Sequence, residues 1–313
     1  MNKYMQPSFL KIWLTAIRPK TLPAAIAPVI MGTGMAFGDG VHHLSSAVVA
    51  LLGALTIQIG TNLANDYFDF QKGADNENRQ GPTRVTQAGW VTPNQMIVAV
   101  TIFFLLSALA CGWLVLRAGW PIAIIGILSI AFGLLYTAGP FSLAYLGLGE
   151  TFALLFFGPI AVAGTYYVQS FEINEAVILA GFGPGFLSAA ILAINNLRDI
   201  ETDRGSRKKT LAVRLGKRFA QNECFIFVIA AALIPVLIYG MIQDHIEILW
   251  TALIALFAFP TIQAVYSQSE GPELNGALAH TGRLLFIYSL VFSMGWISYE
   301  DCWRQIISLR SSF

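Results

Sequence analysis

Two short stretches of this 313-residue chain carry amides and carboxylates at helical spacing. The first runs Asn62-Leu63-Ala64-Asn65-Asp66-Tyr67-Phe68-Asp69 and continues to Asp75. If a helix carries it through Asp69, then Asn62, Asp66 and Asp69 stand at i, i+4 and i+7 on one face. The second runs Asn195-Asn196-Leu197-Arg198-Asp199-Ile200-Glu201-Thr202-Asp203, placing Asn195, Asp199 and Asp203 at i, i+4 and i+8. Grouped carboxylates repel one another, and near a membrane each is costly to keep charged. A divalent cation relieves both penalties. Hard oxygen ligands suit Mg²⁺, which takes one or two carboxylates and fills its remaining positions with water and substrate phosphate. Two facing stripes of this kind suit a diphosphate held through bridging metal, with the asparagines adding oxygen ligands or hydrogen bonds.

The basic residues nearby fit the same chemistry. Lys72, Arg79 and Arg84 follow the first cluster; Arg198, Arg204, Lys208 and Lys209 flank the second. Arginine offers bidentate bonds to phosphate oxygens and lysine a point charge. Each basic residue alone is equally well explained by the excess of positive charge on the cytoplasmic side of membrane proteins.

The elements that must position these residues are membrane helices. Hydrophobic residues make up 56% of the chain and charged residues 12%, about half the charged share of a soluble domain. Apolar runs long enough to cross a bilayer recur about nine times, near 21–38, 45–65, 94–116, 119–138, 150–168, 175–197, 219–241, 247–267 and 281–299. The expectation is an all-α polytopic membrane protein, one transmembrane domain over 1–313. With the N-terminus in the cytoplasm, 16 of the 19 Lys and Arg fall on that side, leaving only Arg117, Arg304 and Arg310 outside. The bias predicts a multi-pass protein of the inner (cytoplasmic) membrane with its N-terminus inside and C-terminus outside.

Two polar connections, about 66–93 and 198–218, break the rhythm of short loops, and both fall on the predicted cytoplasmic side. Each follows an even-numbered span, so a duplicated four-helix unit plus one helix is one reading of the bundle. The Gly181-Phe182-Gly183-Pro184-Gly185 stretch reads as close helix packing through small residues. No strand precedes a Gly-rich turn here, so a nucleotide fold is not expected. Cys111, Cys224 and Cys302 are scattered, and the four histidines form no ligand cluster. Nothing suggests a nucleic-acid partner, and the lipid bilayer is the expected surrounding. A secondary transporter shares many spans and buried charge, but its charges belong near the bilayer midplane, whereas these acids sit at one surface.

The motifs resemble the UbiA superfamily of intramembrane prenyltransferases, and within it the branch acting on 1,4-dihydroxy-2-naphthoate in menaquinone synthesis. The matching stretches are Arg18-Pro19-Lys20-Thr21-Leu22-Pro23, Asn62 to Asp75, Gly81-Pro82-Thr83-Arg84-Val85-Thr86-Gln87, Tyr136 to Glu150, and Asn195 to Gly216. Many relatives carry Lys four residues after the tyrosine that ends the fourth span. Pro140 stands there, which disfavours a 4-hydroxybenzoate-type enzyme, and Arg207 stands where the family has Gly. The resemblance implies a UbiA-type bundle that transfers a polyprenyl group from polyprenyl diphosphate to 1,4-dihydroxy-2-naphthoate. The acceptor's carboxyl is lost and demethylmenaquinone results. Asp66, Asp69, Asp199 and Asp203, with Asp75, are then the implied Mg²⁺ ligands, and Arg18 and Tyr136 are candidate acceptor or diphosphate contacts. Homogentisate and 4-hydroxybenzoate are the competing acceptors. Chain length of the donor, the general base and the oligomeric state stay open at the level of sequence.

Overall fold

The computed structural model describes residues 7–73, 81–139, 142–206, 208–267, 271 and 273–297. Asp75, Arg79, Pro140, Arg207 and Cys302 lie outside the described residues. The first part of the chain forms α1 (Phe9–Ile17), α2 (Pro23–Gly38), α3 (Leu44–Gln71), α4 (Pro93–Ala118) and α5 (Trp120–Leu135). A short α6 (Leu143–Leu146) leads to α7 (Gly149–Phe156), α8 (Pro159–Ser170), α9 (Glu175–Arg198), α10 (Ile200–Gly205) and α11 (Leu211–Leu215). The chain then runs through α12 (Lys217–Ile242), a 3-10 turn, α13 (Ile254–Phe257), α14 (Phe259–Ser267) and α15 (Leu274–Trp296). Among the described residues there is no β-strand.

Among the described residues, seven helical segments are long and apolar enough to cross a membrane, or eight if the bent α1–α2 pair makes one span. About nine were expected, and two runs account for the difference. The run near 119–138 becomes α5, whose 16 residues reach only about 24 Å against a hydrocarbon core of about 30 Å. The run near 21–38 is entered through α1, which ends at Arg18 in the left-handed region (φ 57°) before Pro19 opens a 3-10 turn. The two arms meet at 52°. The arms are Phe9–Thr21 and Pro23–Gly38, so the bend falls at Leu22, where Pro23 has no N–H to continue the helix. With its many apolar helices the chain is a multi-pass membrane protein. Leucines and isoleucines such as Leu109, Leu116, Ile127 and Leu256 are exposed on its outer faces, where lipid replaces water.

Helix ends follow local rules. Thr92 and Gln95 form a capping box ahead of Pro93, and Asn174 caps α9 by accepting from the Val177 N–H. A break at Gly158-Pro159 separates α7 from α8 and lets both lie against α9. A Cβ on Gly158 would stand 2.8 Å from Gly185 Cα, and one on Gly181 2.4 Å from Pro159 Cα. Only hydrogen fits at that approach, so the glycine-rich stretch of α9 is a packing surface. The main core joins α2, α8, α9, α12 and α15, with Leu187, Ile194, Tyr288 and Phe292 fully buried. A second core joins α1, α3 and α4 to the 85–91 turn. Between the two cores lies a cavity.

Candidate active site

The cavity has a volume of 430 Å³ and is walled by α2, α3, α4, α5, α7, α8 and α9. One end is polar, with Arg18, Asn62, Asn65, Asp69, Arg84, Asn195, Asp199, Asp203 and Lys208 among its lining. The other end is apolar and runs past Phe132, Phe152 and Phe156 to Cys111, Leu114, Ile122 and Val168. The three phenylalanines pack on one another, with ring centroids 4.7 to 6.0 Å apart. An amphipathic ligand with a charged head and a hydrocarbon tail matches this division of the surface.

The two acidic stretches meet at the polar end. Asp69 closes α3 with 2% exposure, and its Oδ2 accepts from Arg84 Nη2 at 2.9 Å. Lys208 sits between the stretches, 3.6 Å from Asp69 Oδ2 and 3.9 Å from Asp203 Oδ1. Asp69 Oδ1 is buried with no hydrogen-bond partner. A buried carboxylate oxygen left without a donor is the kind of atom a hard cation satisfies. Among the described residues no three carboxylates, cysteines or histidines converge into a metal cage. That sparse donor set fits Mg²⁺, whose shell is completed by water and phosphate oxygens.

Asp66 is placed differently from its expected position on the ligand face. Its Oδ2 and Oδ1 accept from the N–H groups of Val85 and Thr86, each at 3.1 Å. The carboxylate is 1% exposed and anchors the turn that delivers Arg84. The spacing was read correctly as one helical stripe, but the stripe is broad, and the returning 81–91 segment takes Asp66 while the cavity takes Asn65 and Asp69. Asn62 also looks away from the acids, donating to Ile17 O and Thr21 Oγ1, both at 2.9 Å. It ties α3 to the connection between α1 and α2. Asn65 Oδ1 accepts from Thr137 Oγ1.

In the second stretch the helix stops at Arg198 and restarts at Ile200, with Asp199 at the joint. Helical bonding persists across it, Asp199 N to Asn195 O at 3.1 Å and Asp203 N to Asp199 O at 2.8 Å. The predicted alignment of Asn195, Asp199 and Asp203 toward one space therefore holds. Arg198 grips Asp199 through two bonds, Nε to Oδ1 at 2.8 Å and Nη2 to Oδ2 at 2.6 Å. It also donates to Asn195 Oδ1 at 2.8 Å and to Asn275 Oδ1 at 2.7 Å. Its donors go to protein groups, so its part in the site is to orient Asp199 and Asn195. Asn275, on α15, has no signal in sequence that ties it to the motif.

Lys72 is likewise spent on the protein. It donates to Thr137 O (2.6 Å), Gly139 O (2.9 Å) and Ser142 Oγ (3.1 Å), using the three donors an ammonium has. Burial lowers its pKa, with Asp69 opposing the shift. Lys209 is exposed and does not line the cavity. Tyr136 does line it, half-buried where α5 ends. Burial first, and then the charges of Glu150, Asp203 and Asp69, raise its pKa above the ordinary range, so the phenol stays a protonated donor. The other cations that line the cavity are Arg18, Arg84 and Lys208, with Lys20 added by the structure. Thr137, Glu150 and Asn196 lay inside stretches quoted for other reasons, and only the fold reveals their contacts.

The UbiA prenyltransferase family profile matches residues 25–290. The chain belongs to the UbiA prenyltransferase family. A Haemophilus influenzae protein named 1,4-dihydroxy-2-naphthoate octaprenyltransferase is 34% identical over 307 residues, covering 94% of this chain and 98% of its own. An Escherichia coli protein of the same name is 38% identical over 301 residues, covering 93% and 96%. The fold is also that of the solved structure of a UbiA homolog from Archaeoglobus fulgidus bound to GPP and Mg²⁺. That structure aligns with a TM-score of 0.66 at 18% identity, over 91% of this chain and 99% of its own. In UbiA terms, both aspartate motifs of this chain reach one cavity, and Asp69, Asp199 and Asp203 are the carboxylates that line it.

Proposed function

We propose that the chain transfers a polyprenyl group from polyprenyl diphosphate to 1,4-dihydroxy-2-naphthoate in menaquinone synthesis. The observation that carries the reading is the junction of a charged pocket and an apolar tube in one cavity, in a chain that is 34% and 38% identical to proteins named for that reaction. Asp69, Asp199 and Asp203 are the residues that would hold Mg²⁺. When bound, it supplies Lewis-acid stabilisation of charge on a leaving diphosphate.

The chain's own groups supply the rest. Arg84 and Lys208 stand beside Asp69 and add positive charge where the leaving group's charge develops. Arg198 keeps Asp199 in place by its two-bond grip. The donor's C–O bond breaks, the prenyl carbon bonds to the electron-rich ring, and the acceptor carboxyl leaves as CO₂. The product is demethylmenaquinone in its quinol form. The rings of Phe132, Phe152 and Phe156 wall the cavity beside Tyr136 with apolar, π-rich surface that keeps water from an allylic cation.

Charge placement supports an inner membrane location with the N-terminus and both motif loops in the cytoplasm. A Lys209→Cys variant in a background with Cys111, Cys224 and Cys302 replaced by Ser should then react with an impermeant thiol reagent in inverted vesicles and not in intact spheroplasts. The reaction itself is tested by offering 1,4-dihydroxy-2-naphthoate and 4-hydroxybenzoate in parallel to purified protein with a polyprenyl diphosphate. The naphthoate should be preferred, with turnover lost in EDTA and restored by Mg²⁺. Preference for the benzoate overturns the acceptor assignment.

A further inference from the structure

One buried acid beside the cavity has no part in the steps above. Glu150, in the first turn of α7, is 2% exposed. Its Oε1 accepts from Asn196 Nδ2 at 2.6 Å, and its Oε2 is buried without a hydrogen-bond partner. A carboxylate this deep persists only where its bonds matter to something else. Asn196 lines the cavity next to the acidic end, one helical turn from Leu192 on α9. The neighbouring Gly149 closes the group, since a Cβ there would stand 2.9 Å from Leu192 Cδ2 and 3.5 Å from Tyr136 Oη.

Because Oε1 accepts from Nδ2, Glu150 fixes which way the Asn196 amide turns. One N–H of the amide is committed to Glu150, and the carbonyl Oδ1 is the acceptor left for the cavity. An oxygen acceptor has nothing to offer a diphosphate, whose oxygens also accept. It suits a hydroxyl. Tyr136 brings the complementary O–H donor to the same wall, so the pair matches an arene that bears a hydroxyl beside a carboxylate.

The geometry points to Asn196 as the residue that reads the acceptor's hydroxyl and to Glu150 as the positioning residue that holds it. This rests on the reading of the chain as an aromatic prenyltransferase and adds which wall recognises the acceptor.

The test separates acceptor KM from donor KM in E150A, E150Q and N196L, using whichever hydroxyarenecarboxylate the wild type turns over. E150A should raise acceptor KM about tenfold, one hydrogen bond's worth, with donor KM within about twofold. E150Q still accepts from Asn196 Nδ2 and should recover most of the loss. The E150A/N196L double variant should be no worse than N196L, because the first acts through the second. An E150A effect that falls equally on the donor, or an E150Q as impaired as E150A, overturns the assignment. If E150A does not accumulate as folded protein, competition by the acceptor's hydroxyl methyl ether decides. The wild type should bind the ether more weakly than the parent, and N196L should lose that discrimination. Undiminished discrimination in N196L overturns the proposal, whereas turnover of 4-hydroxybenzoate alone overturns only the naphthoate reading.

Discussion

The Lys208 ammonium lies 3.6 Å from the Asp69 carboxylate, joining a side chain just after α10 to the last turn of α3. Two segments far apart in sequence are thereby held at one point, the point where the cavity is most strongly charged. Lys208→Ala should lower kcat/KM by about 100-fold, the scale of losing one preorganised donor. The measurement is steady-state kinetics with donor varied at saturating acceptor. Lys208→Arg should recover part of it.

Asp66 and Asp69 should separate cleanly in mutagenesis. Asp69→Asn removes charge at the cavity wall and should raise the Mg²⁺ concentration needed for half-maximal turnover. Asp66→Asn instead loses an acceptor for the Val85 or Thr86 N–H. It should destabilise the protein by about 1–3 kcal/mol, the cost of leaving a buried donor unpaired. Thermal unfolding in detergent, run beside Mg²⁺ titrations, tells the two apart. Equal Mg²⁺ shifts in both variants would contradict the placement described.

Arg198→Lys keeps the charge and gives up the fork. Because the guanidinium serves Asp199, Asn195 and Asn275 together, a single ammonium cannot replace it. Turnover should fall at least about tenfold. Arg198→Ala leaves Asp199 buried without its partner, and a loss of about 3 kcal/mol in stability is expected.

Lys72 gives a pH signature. Its pKa is lowered by burial, so the folded protein releases this proton at lower pH than the unfolded chain does. Between the lowered value and the ordinary 10.5, the unfolded state holds more protons, and stability from this group rises with pH. Melting curves in that window should show a rise that Lys72→Met removes. The same variant should expose the 136–139 turn to limited proteolysis.

Gly158→Ala and Gly181→Ala probe the α7–α8 break. Each Cβ would meet backbone closer than 3 Å, and the helices must part to admit it. A loss of about 1–3 kcal/mol is expected from overpacking of this kind, read as a lower melting temperature.

Much of this site was legible in the sequence because helical spacing is a local property. Asn195, Asp199 and Asp203 share a face by arithmetic alone, and the face survives even the helix joint at Asp199. What spacing cannot give is which non-local partner claims each side chain. Asp66 and Asp69 lie three residues apart on the same stripe, and the fold of 81–91 decides that one anchors a turn while the other meets the cavity. Lys72 and Arg198 read as substrate contacts from charge and proximity, yet their donors go to a turn and to neighbouring side chains. The span count differs for a related reason: hydropathy counts apolar residues but not where the chain bends before Pro23 or how early α5 ends. The glycine-rich stretch of α9 was read correctly as packing, since close approach is the commonest use of glycine between membrane helices.

Lys72 follows Asp69 by three residues and clamps the turn that begins at Thr137, the neighbour of Tyr136. Asn65, one turn before Asp69, holds Thr137 as well. The Asp69 end of the cavity and the wall that carries Tyr136 are thus tied together through Thr137. A substitution that frees Thr137 should then disturb both ends of the cavity at once.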